Sequence, residues 1–332
     1  MGYEKDVLIR ARERHQEAVE LHRQQSRRQR EAVYEALPEV KSIDHQLRLT
    51  MAEVMAQAFR QGEDPSGALA EIRDRNLCLQ RQRETLLRQA GYAPEVLDDG
   101  PLCRSCGDSG YVGEKMCICL ETYCREEQRR ELTSLITDDA TFDDFSLDWY
   151  PTVPTQQGGL SPRQIMEWVY EDCVNYASHF DPKTARNLLL IGDPGLGKTF
   201  LSACIAREVV DRGYSVVYDT AIHLFSCMEK QKFGGATEED LRTVERMQLC
   251  DLLILDDLGT ETLSNFVHSA LYTIINDRLL AKKPTIISTN FVMDRLTQRY
   301  IPQIISRLEG DYHTLTFVGN DIRKLKKAQR EK

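Results

Sequence analysis

Residues Ile191–Phe200 read IGDPGLGKTF, and Gly192, Gly197, Lys198 and Thr199 within them satisfy the P-loop pattern G-x-x-x-x-G-K-[ST] without a mismatch. The pattern is a phosphate-binding device. Its glycines let backbone N–H groups close around the β- and γ-phosphates. The Lys198 ammonium neutralises the same oxygens, and the Thr199 hydroxyl ligates Mg2+. Upstream, Asn187–Ile191 (NLLLI) is an apolar run of buried-strand type. Downstream, Phe200–Val210 (FLSACIAREVV) has the spacing of an amphipathic helix. Strand, glycine loop and helix are the context the motif requires, and the helix presents its positive end to the anion. The expected ligand is ATP with Mg2+. Its binding stretch is Gly192, Asp193, Pro194, Gly195, Leu196, Gly197, Lys198, Thr199 and Phe200.

Working outward, Asp251–Asp257 (DLLILDD) is an apolar strand that ends in two carboxylates. In a strand parallel to the P-loop strand, Asp256 holds Mg2+ directly or through water, and Asp257 faces the γ-phosphate and polarises the attacking water. A buried strand followed by a polar turn is the plainer reading of this run in isolation. Downstream of an intact P-loop that plainer reading loses. A third strand, Pro284–Asn290 (PTIISTN), places Asn290 at its tip, where it can hold the lytic water or a γ-phosphate oxygen; a strand-terminating Asn is the ordinary alternative.

The P-loop, LLILDDLG, TIISTN and IISRLEGDYHTLTFVGNDIR resemble the AAA+ ATPases of the bacterial helicase-loader type, the DnaC/DnaI group, whose near relative is the IstB transposition helper. The resemblance covers roughly residues 140–325, and Thr141–Pro151 (TFDDFSLDWYP) resembles the group's segment ahead of the ATPase core. It implies an α/β fold, a five-stranded parallel sheet with helices on both faces. It also implies that Arg307 acts as an arginine finger on a neighbouring subunit's γ-phosphate, and that Arg323 stands at the sensor-2 position. A solvated helix face is the alternative for both arginines. Many AAA+ proteins carry Asp-Glu where this chain has Asp256-Asp257, and the shorter side chain suits a slow ATPase that single-stranded DNA or a partner stimulates. Glu261, in DDLGTE, is an alternative base.

Five of the ten cysteines fall in the order Cys103-x2-Cys106-x10-Cys117-x-Cys119-x4-Cys124. Paired thiolates across a glycine-bearing turn suit tetrahedral zinc. The favoured ligands are Cys103, Cys106, Cys117 and Cys119, with Cys124 in reserve. Four thiolates close the coordination sphere, so the site reads as structural. The P-loop and the lack of a signal peptide point to a reducing cytoplasm, which argues against disulfides. The spacing leaves an iron–sulfur cluster open. The run CRSCGDSGYVGEKMCICL also resembles a zinc-binding segment between the N-terminal region and the ATPase core in many loaders of low-GC Gram-positive type.

A chain of 332 residues has room for two or three domains. The expected division is a helical partner-binding region at 1–95, a zinc module at 100–125, a linker and lead-in at 126–160, and the ATPase domain at 161–332. No apolar run approaches the roughly 18 residues of a membrane span. A formal net charge of −9 argues against a chromatin-like or polybasic DNA binder but permits a local ssDNA path. Residues 1–90 are rich in Arg, Gln and Glu with apolar residues at helical intervals. Pro38 and Glu63–Gly67 (EDPSG) punctuate them, and Ala68–Ala90 resumes as a helix. These helices either space the ATPase or dock a partner; the resemblance points to the replicative helicase. In AIHLFSCMEKQKFGG, Lys230, Lys232 and Phe233 are candidate ssDNA contacts, with an ordinary surface helix ending at Gly234-Gly235 as the alternative. The seven histidines form no metal-ligand spacing.

Three functions fit. The first is an ATP-dependent helicase loader that binds the replicative helicase and ssDNA and self-associates through its ATP sites. The second is a transposition helper that remodels target DNA for a transposase. The third is a zinc-bearing adaptor that holds nucleotide for structure alone.

Overall fold

The computed structural model describes residues 3, 5–58, 66–98, 100–133, 140–154 and 159–330. The expected turn at Glu63–Gly67 lies mostly outside them. Two compact units result: Arg12–Leu120, and Met1–Ala11 together with Glu121–Lys332.

The first unit is built on α1 (Lys5–Ala36) from Arg12 onward, α2 (Pro38–Ala58) and α3 (Ser66–Gln89), followed by the hairpin β1 (Tyr111–Val112) and β2 (Lys115–Met116) and the start of α4 (Ile118–Thr133). Pro38 separates α1 from α2 because its ring fits the first helical position but cannot continue a helix. A small core of Val33, Val40, Leu87 and Leu97 closes the helices together. The Tyr34 hydroxyl donates to Asp44 Oδ2 at 2.6 Å within it. The cysteine segment lies in this unit as far as Leu120.

The second unit contains α5 (Pro162–Ser178), β3 (Asn187–Ile191), α6 (Lys198–Asp211), β4 (Val216–Thr220), α7 (Ala221–Phe233), α8 (Glu238–Leu249), β5 (Leu252–Leu258), α9 (Asn265–Leu280), β6 (Thr285–Thr289), α10 (Met293–Arg299), α11 (Pro302–Asp311), β7 (Tyr312–Thr316) and α12 (Ile322–Arg330). The sheet order is β4-β5-β6-β3-β7, and every pair is parallel. This is the expected five-stranded AAA+ sheet.

The apolar run NLLLI is explained by burial on both faces. Leu188 and Leu190 join the core under α5 and α6, whereas Leu189 and Ile191 join the opposite core with residues of α7, α8, α9 and α11. Register brings the C-terminal strand ends together: Ile191 pairs with Thr289, and Thr220 with Asp256. Between Leu255 and Leu258 the pairing of β5 with β6 shifts, and Asp257 there adopts φ 54°. Such a bulge re-aims a side chain. Here it puts Asp257, rather than its neighbour, toward the nucleotide cavity. Among the described residues no helix is long and apolar enough to cross a membrane.

Candidate functional site

The P-loop leaves β3 at Gly192, whose φ is 148° and whose missing side chain matters, since a Cβ there would stand 2.5 Å from Phe317 O. Lys198 opens α6 and is only 5% exposed. Its Nζ donates to Gly192 O at 2.7 Å, Asp193 O at 2.9 Å and Asn290 Oδ1 at 2.8 Å. Asn290 Nδ2 in turn donates to Asp257 Oδ1 at 3.2 Å. The three strand ends therefore join through one line of polar contacts, Lys198–Asn290–Asp257.

Burial lowers the Lys198 pKa, opposed by Asp257 and Asp256. Burial raises the Asp257 pKa, and the Asp256 charge adds to it. Asp256 is buried deeper. Tyr218 donates its hydroxyl to Asp256 Oδ2 at 2.9 Å, and Ser288 donates to Oδ1. Each oxygen keeps accepting capacity beyond one hydrogen bond, so the carboxylate is fixed in place without being used up.

The cavity over the P-loop has a volume of about 370 Å³. Gly195, Gly197, Lys198, Thr199, Asp257, Asn290 and Arg323 line its polar side, and Phe145, Trp149 and Phe200 line the apolar side. Sequence reasoning named Phe200 but missed Phe145 and Trp149, although TFDDFSLDWYP carries both. The anchor of this aromatic wall is Tyr150, which is buried and donates to Leu196 O at 2.8 Å. Arg323 arrives because α12 is seated on the P-loop: Ile322 N donates to Gly195 O at 3.0 Å, and Asp321 Oδ1 caps the helix at Arg323 N, 3.0 Å away. A side chain at Gly195 would meet that carboxylate at 2.1 Å.

Two candidates lie elsewhere. Arg307 is outside the cavity lining and pairs with Asp311 at 3.3 Å and Asn276 at 3.5 Å. Glu261 is unsuited to act as a base: it is buried, it accepts from Gly259 N at 2.8 Å, and the Tyr300 hydroxyl holds its other oxygen. The Glu261 carboxylate braces the turn after β5.

The sulfurs of Cys103, Cys106, Cys117 and Cys119 lie within 4.8 Å of one another. Cys103 and Cys117 are 3.7 Å apart, and Cys106 and Cys119 are 3.5 Å apart. A tetrahedral zinc with Zn–S near 2.3 Å requires S···S edges of about 3.8 Å, whereas a disulfide requires about 2.05 Å. The donor set fits a zinc-type ion. Burial opposes ionisation of Cys106, but a Gly110 backbone hydrogen bond and the neighbouring thiols bring its pKa down to about 7. Burial and the same neighbours raise the Cys119 pKa. A divalent cation would relieve the mutual repulsion of thiolates held this close. Cys124 is buried and outside the cluster.

On α7, Lys230 is already paired with Asp240 at 2.8 Å. Lys232 stands over both Phe233 and Phe266, at 5.6 and 5.5 Å from the ring centroids. Phe233 is 68% exposed and meets Phe266 edge-on. Phe266, absent from the sequence reading, thus joins this candidate surface.

A parallel sheet of this order with a P-loop, an acidic second strand and an asparagine-tipped third defines a nucleotide-binding protein of AAA+ type. Residues 157–330, just over half the chain, match the family of IstB-like ATP binding proteins, and the chain belongs to that family. It is similar to the replicative helicase loader DnaC of Escherichia coli (strain K12), 31% identical over 134 residues, 40% of this chain and 54% of that one. The replicative helicase loader DnaI of Bacillus subtilis (strain 168) is 30% identical over 124 residues, 37% of this chain and 39% of that one. An IS21-like insertion-sequence ATP-binding protein of Bacteroides fragilis (strain YCH46) is 26% identical over 168 residues, 49% of this chain and 75% of that one. The chain spans 54% of the first of these loaders and 39% of the second.

Proposed function

We propose that this protein is an ATP-hydrolysing helicase loader that acts as a switch in the cytoplasm. The observation that carries the enzymatic part is the convergence of Lys198, Asp257, Asn290 and Arg323 on one cavity with an aromatic wall. Phe145, Trp149 and Phe200 cover the base, while the P-loop N–H groups and Lys198 take the β- and γ-phosphates. Thr199 and Asp256 would hold Mg2+, which when bound neutralises phosphate charge. Asp257 and Asn290 orient the attacking water, and Asp257 accepts its proton. Arg307 serves the site of a second copy. Cys103, Cys106, Cys117 and Cys119 hold a structural zinc ion. Residues 1–95 form the grip on the replicative helicase, with the cysteine segment at 100–125, the lead-in at 126–160 and the ATPase core at 161–332. Lys232, Phe233 and Phe266 offer a stacking and cationic surface to ssDNA.

The loader reading is supported by the similarity to DnaC and DnaI. Similarity to the insertion-sequence protein over 75% of that protein supports the transposition-helper reading. Light scattering after size exclusion separates them. Mixed with the replicative helicase of its own source, the full chain forms a discrete complex that differs between ATP and ADP. Absence of a complex in either state, with capture of a transposase instead, overturns the loader reading.

Asp257→Asn keeps a residue tolerant of positive φ and removes the base. Turnover falls by about 10²–10⁴-fold, and ATP binding is retained. In the unmodified protein the Asp257 pKa is raised, so the base form is lost as pH falls through a value above that of an ordinary aspartate. The acid limb of the rate profile therefore lies closer to neutrality than a free carboxylate would set it. A limb at the ordinary aspartate position counts against Asp257 as the base.

A further inference from the structure

Contacts from one face of α1 reach the cysteine segment. Arg12 Nη2 donates to the Tyr111 hydroxyl at 2.7 Å, with the guanidinium 5.4 Å above the ring centroid. His15 Nε2 lies 3.5 Å from Cys119 Sγ. His22 Nε2 lies 3.2 Å from Gly100 O. With buried Val19 between the histidines, positions 12, 15, 19 and 22 follow the spacing of one face.

His15 stands apart from the other two. It is 4% exposed, and it alone of the three touches a sulfur of the metal-type cluster. A neutral thiol is a weak hydrogen-bond acceptor. A metal ligand must be the thiolate, and hydrogen bonds to an ionised acceptor are roughly twice as strong as neutral ones. Four thiolates already close a tetrahedral sphere, so the imidazole belongs just outside it.

We propose that His15 is a positioning residue of the cysteine centre: its Nε2–H donates to the metal-held Cys119 thiolate, so that metal occupancy docks α1 on the cysteine segment. The inference rests on the zinc reading above. It makes the metal a fastener of the helical unit as well as of the short cysteine loops.

The test uses the full chain, unmodified and as His15→Ala and His15→Gln. Zn2+ affinity is read by competition with a chromophoric chelator, coordination by Co2+ absorption, and docking by hydrogen exchange of residues 12–22 with and without chelator. ATP binding by each variant checks that the other unit is folded. The expected result is loss of protection at residues 12–22 when metal is removed from the unmodified protein. His15→Ala loses about 10–100-fold in Zn2+ affinity and keeps a four-thiolate Co2+ spectrum. His15→Gln recovers part of the affinity through its amide donor. Unchanged affinity in His15→Ala, protection indifferent to metal, or a Co2+ spectrum that changes with His15 overturns the inference. An unmodified protein that binds neither Zn2+ nor Co2+ overturns the zinc reading itself.

Discussion

Arg307→Ala lowers ATP turnover of the assembled protein by about 10³–10⁵-fold and leaves ATP affinity unchanged. The asymmetry follows from where the residue sits. At the first residue of β3, Asn187 Nδ2 donates to Asp311 O at 3.1 Å, which places the end of α11 beside the start of that strand. The P-loop begins at the strand's other end, about 15 Å away at 3.3 Å per residue. Arg307 is one turn before Asp311 and pairs with it. It therefore lies away from its own chain's cavity, and in the proposed assembly it serves a nucleotide held by another copy. In such a shared site binding, which one copy performs alone, survives the substitution, and turnover does not. Mixing Arg307→Ala with Asp257→Asn restores part of the rate, because one interface then joins an intact base to an intact arginine. Turnover that persists in Arg307→Ala, or a mixture as inactive as its components, counts against a shared site.

Arg278→Met destabilises the ATPase unit by about 3–5 kcal/mol. Arg278 is 3% exposed, and its hydrogen-bond partners are acceptors other than carboxylates. Nη1 donates to Met247 O at 2.9 Å and Cys250 O at 3.3 Å, Nη2 to Pro284 O at 2.8 Å, and Nε to Thr285 Oγ1 at 2.9 Å. The cation thus closes the C-terminal end of α8, where the helix dipole favours positive charge, onto the start of β6. Methionine approximates the stem but supplies no donor, so Met247 O, Cys250 O and Pro284 O each lose a charged donor, although Pro284 O keeps Leu253 N. For a unit of this size each kcal/mol is worth about 2–4 °C, and calorimetry would read a fall of about 10 °C. A fall of only a degree or two would mean that water replaces the guanidinium and that the clamp contributes little. The cavity is built from other residues, so ATP binding below the transition is unchanged.

Three strands of the sheet and the polar half of the nucleotide cavity were legible because their signals are short and local, whereas the five-stranded parallel arrangement came from the family resemblance. NLLLI, DLLILDD and PTIISTN are each built round a buried apolar run, the last two with polar residues at the tip and the first followed directly by the glycine loop, and the predicted strands match β3, β5 and β6 to within a residue or two. The four-cysteine grouping was legible for the same reason. What could not be read comes from contacts between distant segments. Tyr150 reaches Leu196 across 46 positions, which turns the lead-in segment into the aromatic wall. Tyr300 reaches back 39 positions to take Glu261 away from catalysis. Asp240 neutralises Lys230, weakening it as an ssDNA contact. His15 meets Cys119 across 104 positions, and no spacing rule covers such a distance. Arg278 looks like any helical arginine until the packing of α8 and β6 is known.

The pairing of β3 has a consequence for the order in which the protein is made. Leu188 lies beside Ile286 on one edge and His313 on the other, so both neighbours of the P-loop strand are synthesised long after it. While the chain is still emerging from the ribosome, the strand has no partner, and its two apolar faces have only part of their cover. Parallel pairings between remote segments are also slow to close. The nucleotide pocket is therefore completed only after β6 and β7 have been made, long after its own signature has emerged. A chain released before Thr316 carries the whole motif without the edge strand that seats it.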